Sequence, residues 1–137
     1  MKALICGGRD WDRVLNSFQA LDDFHAVQPI THVIHGGARG ADAIGGAWAK
    51  ARGIPCDEFP AAWNDLTQPD AVIKINWRGH KYDALAGFRR NRQMADQKPD
   101  VVLTFPGGAG TASMVNLARE RGIRIVRLMS YPKDLLG

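Results

Sequence analysis

No stretch of this sequence is apolar for long enough to cross a bilayer, so no membrane partner is expected. The opening Met1-Lys2-Ala3-Leu4-Ile5-Cys6 reaches Gly7-Gly8 and charge too soon for a secretory leader, which points to the cytoplasm. Cysteine is scarce. Cys6 and Cys56 share no CxxC spacing, and two buried thiols in a reducing compartment are the simplest expectation. The four histidines are dispersed, and His32 and His35, three apart on one strand, point to opposite faces. No metal site and no cofactor is expected. A Gly-Lys-Ser/Thr sequence is missing from every Gly-rich loop, which disfavours a P-loop triphosphatase, and no clean GxGxxG with a downstream acid marks an NAD dehydrogenase. No Ser or Cys sits in a nucleophile elbow.

Glycine is what the chain has in excess, 15 residues in 137, and it is clustered rather than scattered. Clustered glycine marks backbone that must turn tightly or approach something closely. The net charge is a modest +4, with the excess between Arg78 and Arg92, which suits an anionic ligand.

Short apolar runs alternate with helical periodicity along the chain. Strands are expected at Lys2 to Cys6, Thr31 to His35, Ile54 to Phe59, Asp100 to Phe105 and Ile123 to Leu128. Between them, Val14, Phe18, Leu21 and Phe24 recur at helical spacing behind Asp10, placed as a cap. Ala41, Ile44, Trp48 and Ala51 form the apolar stripe of a second helix, ended by Gly53. Helices are also expected from Gly87 to Asp96 and from Thr111 to Arg121, the latter with Met114, Leu117 and Ala118 on one face. Pro60 to about Ala86 has weak periodicity and reads as one long functional or mobile loop. The tail from Pro132 to Gly137 reads as a surface extension. Alternating strands and helices in 137 residues predict one domain, a Rossmann-like three-layer α/β fold with a mainly parallel sheet of about five strands.

Three of these strands end in the same chemistry: Gly7-Gly8-Arg9-Asp10, Gly36-Gly37-Ala38-Arg39-Gly40-Ala41-Asp42, and Pro106-Gly107-Gly108-Ala109-Gly110-Thr111. Each precedes a helix, where free N–H groups and the helix dipole favour an anion. The three turns are expected to converge on one phosphate site, with Arg9 and Arg39 supplying charge and Thr111 and Ser113 supplying hydroxyls. Trp63, Trp77 and Tyr82 are interleaved with Arg78 and Lys81, and Trp63 is the candidate for stacking a base. Trp11 and Trp48 are expected in the core. His35, beside the second turn, is expected to make a structural hydrogen bond or touch ligand.

Gly7 to Trp11, Gly36 to Asp42, Phe59-Pro60-Ala61-Ala62-Trp63, Ala86-Gly87-Phe88-Arg89-Arg90-Asn91-Arg92-Gln93-Met94 and Pro106 to Thr111 together resemble the SLOG superfamily, most closely its YspA/YpsA-related branch. The superfamily also holds the Lonely Guy phosphoribohydrolases and the DNA-processing protein A recombination mediators. The resemblance spans nearly the whole chain and makes residues 65–83 look like an insertion. It implies binding of a nucleotide or nucleotide derivative, with Arg89, Arg90 and Asn91 joining the Gly-rich turns, and a homodimer or higher oligomer. The alternative it implies is single-stranded nucleic-acid binding through Arg89, Arg90 and Arg92.

In the superfamily's hydrolases an Arg and a Glu cleave the N-glycosidic bond of a nucleoside monophosphate. Arg90 matches the Arg, but the Glu position is Met114. A thioether cannot stabilise an oxocarbenium ion or activate water. Glu120, six residues on, is about 9 Å further along the helix. Asp10 and Asp42 are the remaining catalytic candidates, with helix capping as their alternative role.

Overall fold

In a computed structural model of the chain, residues 1–129 are described; the expected extension at 132–137 lies outside them. The elements run β1 (Lys2–Cys6), α1 (Val14–Val27), β2 (His32–His35), α2 (Ala41–Ala51), β3 (Cys56–Glu58), β4 (Ile73–Ile75), β5 (Lys81–Asp83), α3 (Ala86–Asp96), β6 (Val101–Thr104), α4 (Ala109–Glu120) and β7 (Arg124–Arg127). Five strands form one parallel sheet in the order β3-β2-β1-β6-β7, and β4 and β5 form a separate antiparallel hairpin.

The unbroken apolar run of β1 follows from its place at the centre of the sheet, covered on both faces. Ala3 and Ile5 join Leu21, Ile44, Trp48, Val101 and Leu103 in one cluster, which draws on α1 and α2. Leu4 and Cys6 join Ile34, Met94, Val102, Met114 and Ala118 in the other, which draws on α3 and α4. The side-chain period of two thus divides one strand between two cores, and each fully buried Leu or Ile contributes roughly 1.5–3 kcal/mol of transfer free energy. Helix α2 lies close to β1 because Gly45 has no side chain: a Cβ there would come within 2.7 Å of Ile5 Cγ2.

Several expectations need correcting. Helix α1 begins at Val14 with Arg13 at its N-cap, and Asp10 caps nothing. The turn before it is fixed instead by Trp11, whose Nε1–H donates to Ser17 Oγ at 2.8 Å. Val14 and Ala51 are exposed, because α1 and α2 bury Leu21 and the Ile44–Trp48–Ala49 face instead. Cys6 is buried, but Cys56 is exposed on the short edge strand β3, so only one of the two thiols is in the core. The segment from Pro60 to Ala86 carries the β4–β5 hairpin, whose three-residue strands, β4 exposed and β5 running from exposed Lys81 to buried Asp83, offer little hydrophobic alternation to read.

Candidate functional site

The chain leaves β1 toward β2 on one side of the sheet and later returns to β6 on the other. Such a switch point opens a crevice outside the carboxyl ends of the strands. A cleft of about 560 Å³ lies there, with Gly7, Gly8 and Arg9 after β1 on one side and the Gly107–Thr111 turn after β6 on the other. The two turns touch: Gly8 N–H donates to Pro106 O at 2.8 Å, and a Cβ on Gly8 would lie 3.1 Å from Gly107 Cα.

The turn after β2 contributes differently from the expectation. Only Ala38 and Asp42 of it reach the cleft wall. Its N–H groups are turned inward: Gly37 donates to His35 Nδ1 at 3.0 Å, Ala38 to Asp42 Oδ2 at 3.2 Å, and Ala41 to Gly8 O at 3.1 Å. His35 therefore takes the structural role. Gly36 and Gly37 make room for the Arg90 guanidinium and the Glu58 carboxylate, both of which a Cβ would strike. Gly40 has φ +77°, and a Cβ there would meet the Gly8 and Arg9 carbonyls. Arg39 is exposed at the surface, 3.4 Å from Asp10.

Helix α3 forms a third wall through Gly87, Arg90, Asn91 and Met94, which recur at i, i+3, i+4 and i+7. Arg90 Nη1–H donates to Gly36 O at 2.5 Å and its Nε–H to Asn91 Oδ1 at 3.0 Å; Asn91 in turn lies 3.4 Å from Gly110 O. Two adjacent side chains, Arg90 and Asn91, thus link the β2 turn, α3 and the β6 turn. Arg89, one residue earlier, lies off this face: it pairs with Asp70 at 2.7 Å and with Asp83, whose carboxylate is fully buried. Arg92 is exposed and lines no part of the cleft.

The glycines of the β6 turn differ in why they are glycine. A Cβ on Gly107 would strike Thr111 Oγ1, so the fold itself requires glycine there. A Cβ on Gly108 or Gly110 would meet nothing within 4 Å, and neither residue has positive φ. Among the described residues, no protein acceptor takes the N–H groups of Gly108, Ala109, Gly110 or Thr111, which open the first turn of α4. Ser113 completes this side of the cleft.

Electrostatically the floor is dry. Burial pushes the Asp42 carboxyl above the ordinary aspartate range, opposed by the Ala38 N–H and the Arg90 charge. Burial also lowers the Arg90 pKa and raises the Cys6 thiol to about 12, too high for a nucleophile at neutral pH. Met114, at the position where the hydrolases carry Glu, is 1% exposed and packs into the α3–α4 core beneath the cleft.

The outer wall is aromatic. Trp63 stands over Gly87, with Arg9 5.5 Å from its ring and Tyr82 meeting it edge-on. Trp11, buried as expected and stacked on Phe105, also borders the cleft. Phe88, 49% exposed, stands at the rim. Like Ala84 and Met94, it lines the cleft without having been among the expected binding residues.

Known proteins resemble this chain as follows. A model of the YAcAr family (YspA, cpYpsA-related SLOG family) matches residues 1–65, which contain the β1 and β2 turns and Trp63. The Gene 61 protein of Mycobacterium phage D29 is 34% identical over 134 residues, spanning 96% of this chain and 98% of that protein. Among solved structures, MurG of Acinetobacter baumannii aligns with a TM-score of 0.48 at 17% identity, over 91% of this chain and 33% of MurG. This chain therefore spans about a third of that protein's length. By its turns and by near full-length similarity to the phage protein, the chain belongs to the YspA, cpYpsA-related SLOG family.

Proposed function

We propose that the cleft binds a nucleotide or nucleotide derivative, phosphate first. The observation that carries this is Gly110, in the first turn of α4, which has open space ahead of it, a negative φ and uncapped N–H groups beside it. The fold does not need glycine at this helical position, whereas a phosphate pressed against the backbone does. In this reading Gly107, Gly108, Gly110, Thr111 and Ser113 cradle the phosphate, with Gly7 and Gly8 closing the far side. Arg90 supplies the buried charge, and a bound anion would offset its desolvation. Asn91 orients the turn, while Arg9 and Trp63 face the sugar and base, with Phe88 as a second stacking surface at the rim. Arg39 and Arg89 take no part, since Asp10 faces the first and Asp70 and Asp83 hold the second.

The proposed activity is binding, without hydrolysis. Met114 offers no carboxylate. Asp10 is 95% exposed, and Asp42 braces Ala38. The alternative of a strand held along Arg89, Arg90 and Arg92 is not favoured, because these guanidinium groups diverge to a carboxylate pair, the cleft and solvent.

The test is a titration of nucleoside mono- and diphosphates and ADP-ribose, followed by calorimetry and by chromatography for released base. Saturable binding without base release is expected. Gly110→Ala, which meets no steric obstacle and gains helix propensity, should fold with equal or greater stability yet bind at least about tenfold more weakly. Undiminished binding in that variant, or no binding of any nucleotide to the parent protein, would overturn the proposal.

A further inference from the structure

The hairpin is the part of the molecule that the cleft leaves unexplained. Residues 71–82 read Ala-Val-Ile-Lys-Ile-Asn-Trp-Arg-Gly-His-Lys-Tyr, carrying Lys74, Arg78 and Lys81 and no acid. The acids at either end, Asp70 and Asp83, are both bound by Arg89, so the hairpin presents net positive charge.

Its shape is fixed as well. Asn76 Oδ1 accepts the Arg78 and His80 N–H groups at 2.9 and 3.0 Å, Asn76 N–H donates to His80 O at 2.9 Å, and Gly79 takes the left-handed φ of +79°. At the base, Asp83 Oδ1 accepts Val72 and Leu85 N–H, and Ala84 N–H donates to Val72 O. This frame holds Trp77 86% exposed, with the Arg78 guanidinium 4.6 Å from its ring. So much indole facing water, with a cation at the ring, is a preformed surface for a planar partner.

We propose that the β4–β5 hairpin is a docking surface for single-stranded nucleic acid, with Trp77 and Arg78 stacking an unpaired base and Lys81, on the Ile75 face, meeting a phosphate. Charge complementarity selects this occupant. Ile73 and Ile75 are exposed, but Lys81 is the cross-strand partner of Ile75, so a cation interrupts the apolar face. A two-fold contact through this hairpin would place Arg78 and Lys81 close to their own copies, which like-charge repulsion opposes. The surface adjoins the cleft, because Asp83 N–H donates to Trp63 O at 2.8 Å and Ala84 lines the wall, but it does not depend on what the cleft holds.

Fluorescence anisotropy with a labelled oligothymidine of about 15 nucleotides tests this. Binding should weaken with salt at a log–log slope of about −1.4, the value for two cations meeting single-strand phosphates. Trp77→Ala should weaken binding about tenfold, and Trp77→Phe should restore most of it. Arg78→Gln/Lys81→Gln should weaken binding further and flatten the salt slope, with the melting temperature unchanged. A duplex of the same length should compete poorly, and saturating mononucleotide should not displace the strand. The proposal falls if no strand binds at about 50 mM salt, or if all variants bind equally. It also falls if the substitutions change only the sedimentation of the protein, which would identify a second copy as the occupant, or only its binding to phosphatidylserine vesicles, which would identify a membrane.

Discussion

At the scale of single residues, Asp42 shows how a carboxyl group can serve the fold while opposing it. Its Oδ2 holds the Ala38 N–H, yet burial raises its pKa, so the charged form is disfavoured in the folded state. Between the ordinary aspartate value near about 3.9 and the raised folded value, the native state binds more protons than the unfolded chain. Stability is therefore lost as pH rises through that window, and the full penalty persists above it. Asp42→Asn keeps an acceptor for Ala38 and removes the charge. Urea unfolding should show the variant gaining on the parent protein as pH rises from about 4 to 7, and its cleft should take anions more tightly. A variant that is less stable at every pH would mean that the carboxylate charge itself holds the turn. Sequence alone places Asp42 correctly at a turn but cannot supply this balance, which depends on Arg90 arriving from 48 residues away in the chain. The helical period, at about 100° per residue, turns Arg90 away from Arg89, although both were expected in the site.

At the scale of elements, the buried Asp83 carboxylate anchors the hairpin. Asp83 is fully buried and receives Arg89 together with two backbone N–H groups, which hold its carboxyl below the ordinary range. A depressed folded pKa stabilises above the unfolded value and is lost as pH falls through the folded one. Asp83→Asn should therefore melt lower than the parent protein at pH 7, with limited proteolysis cutting first within 65–83, and the difference should close as pH falls below about 4. A constant difference across that range would assign the effect to packing rather than charge. The main sheet was readable because β1, β2 and β6 are apolar runs bounded by Gly-rich turns. The hairpin was not, because Ile73 and Ile75 alternate with Lys74 on strands of three residues, too short for a period to emerge. The cap expected at Asp10 failed for a related reason: Trp11, buried against Phe105 and bonded to Ser17, fixes where α1 begins, and that contact with β6 is invisible along the chain.

At the scale of the whole molecule, the cleft joins parts of the chain that few direct contacts hold together. The β1 and β6 turns meet through Gly8 and Pro106, while the β2 turn and α3 meet through Arg90 on Gly36. An anion bound at Gly108–Thr111 and Arg90 would bridge all of them, so its binding free energy should appear as global stability. At a ligand concentration of about 100 times the dissociation constant, the gain is roughly 2.7 kcal/mol. For a domain of this size that corresponds to a rise of about 8 °C in melting temperature. Hydrogen exchange should slow together at residues 7–11, 36–42, 87–94 and 107–112, while residues 72–82 exchange as before, because the hairpin adjoins the cleft without closing it. Protection confined to 107–112 would mean that the phosphate turn binds alone. Protection reaching 72–82 would mean that the hairpin moves with the ligand, and the two surfaces would then have to be treated as one.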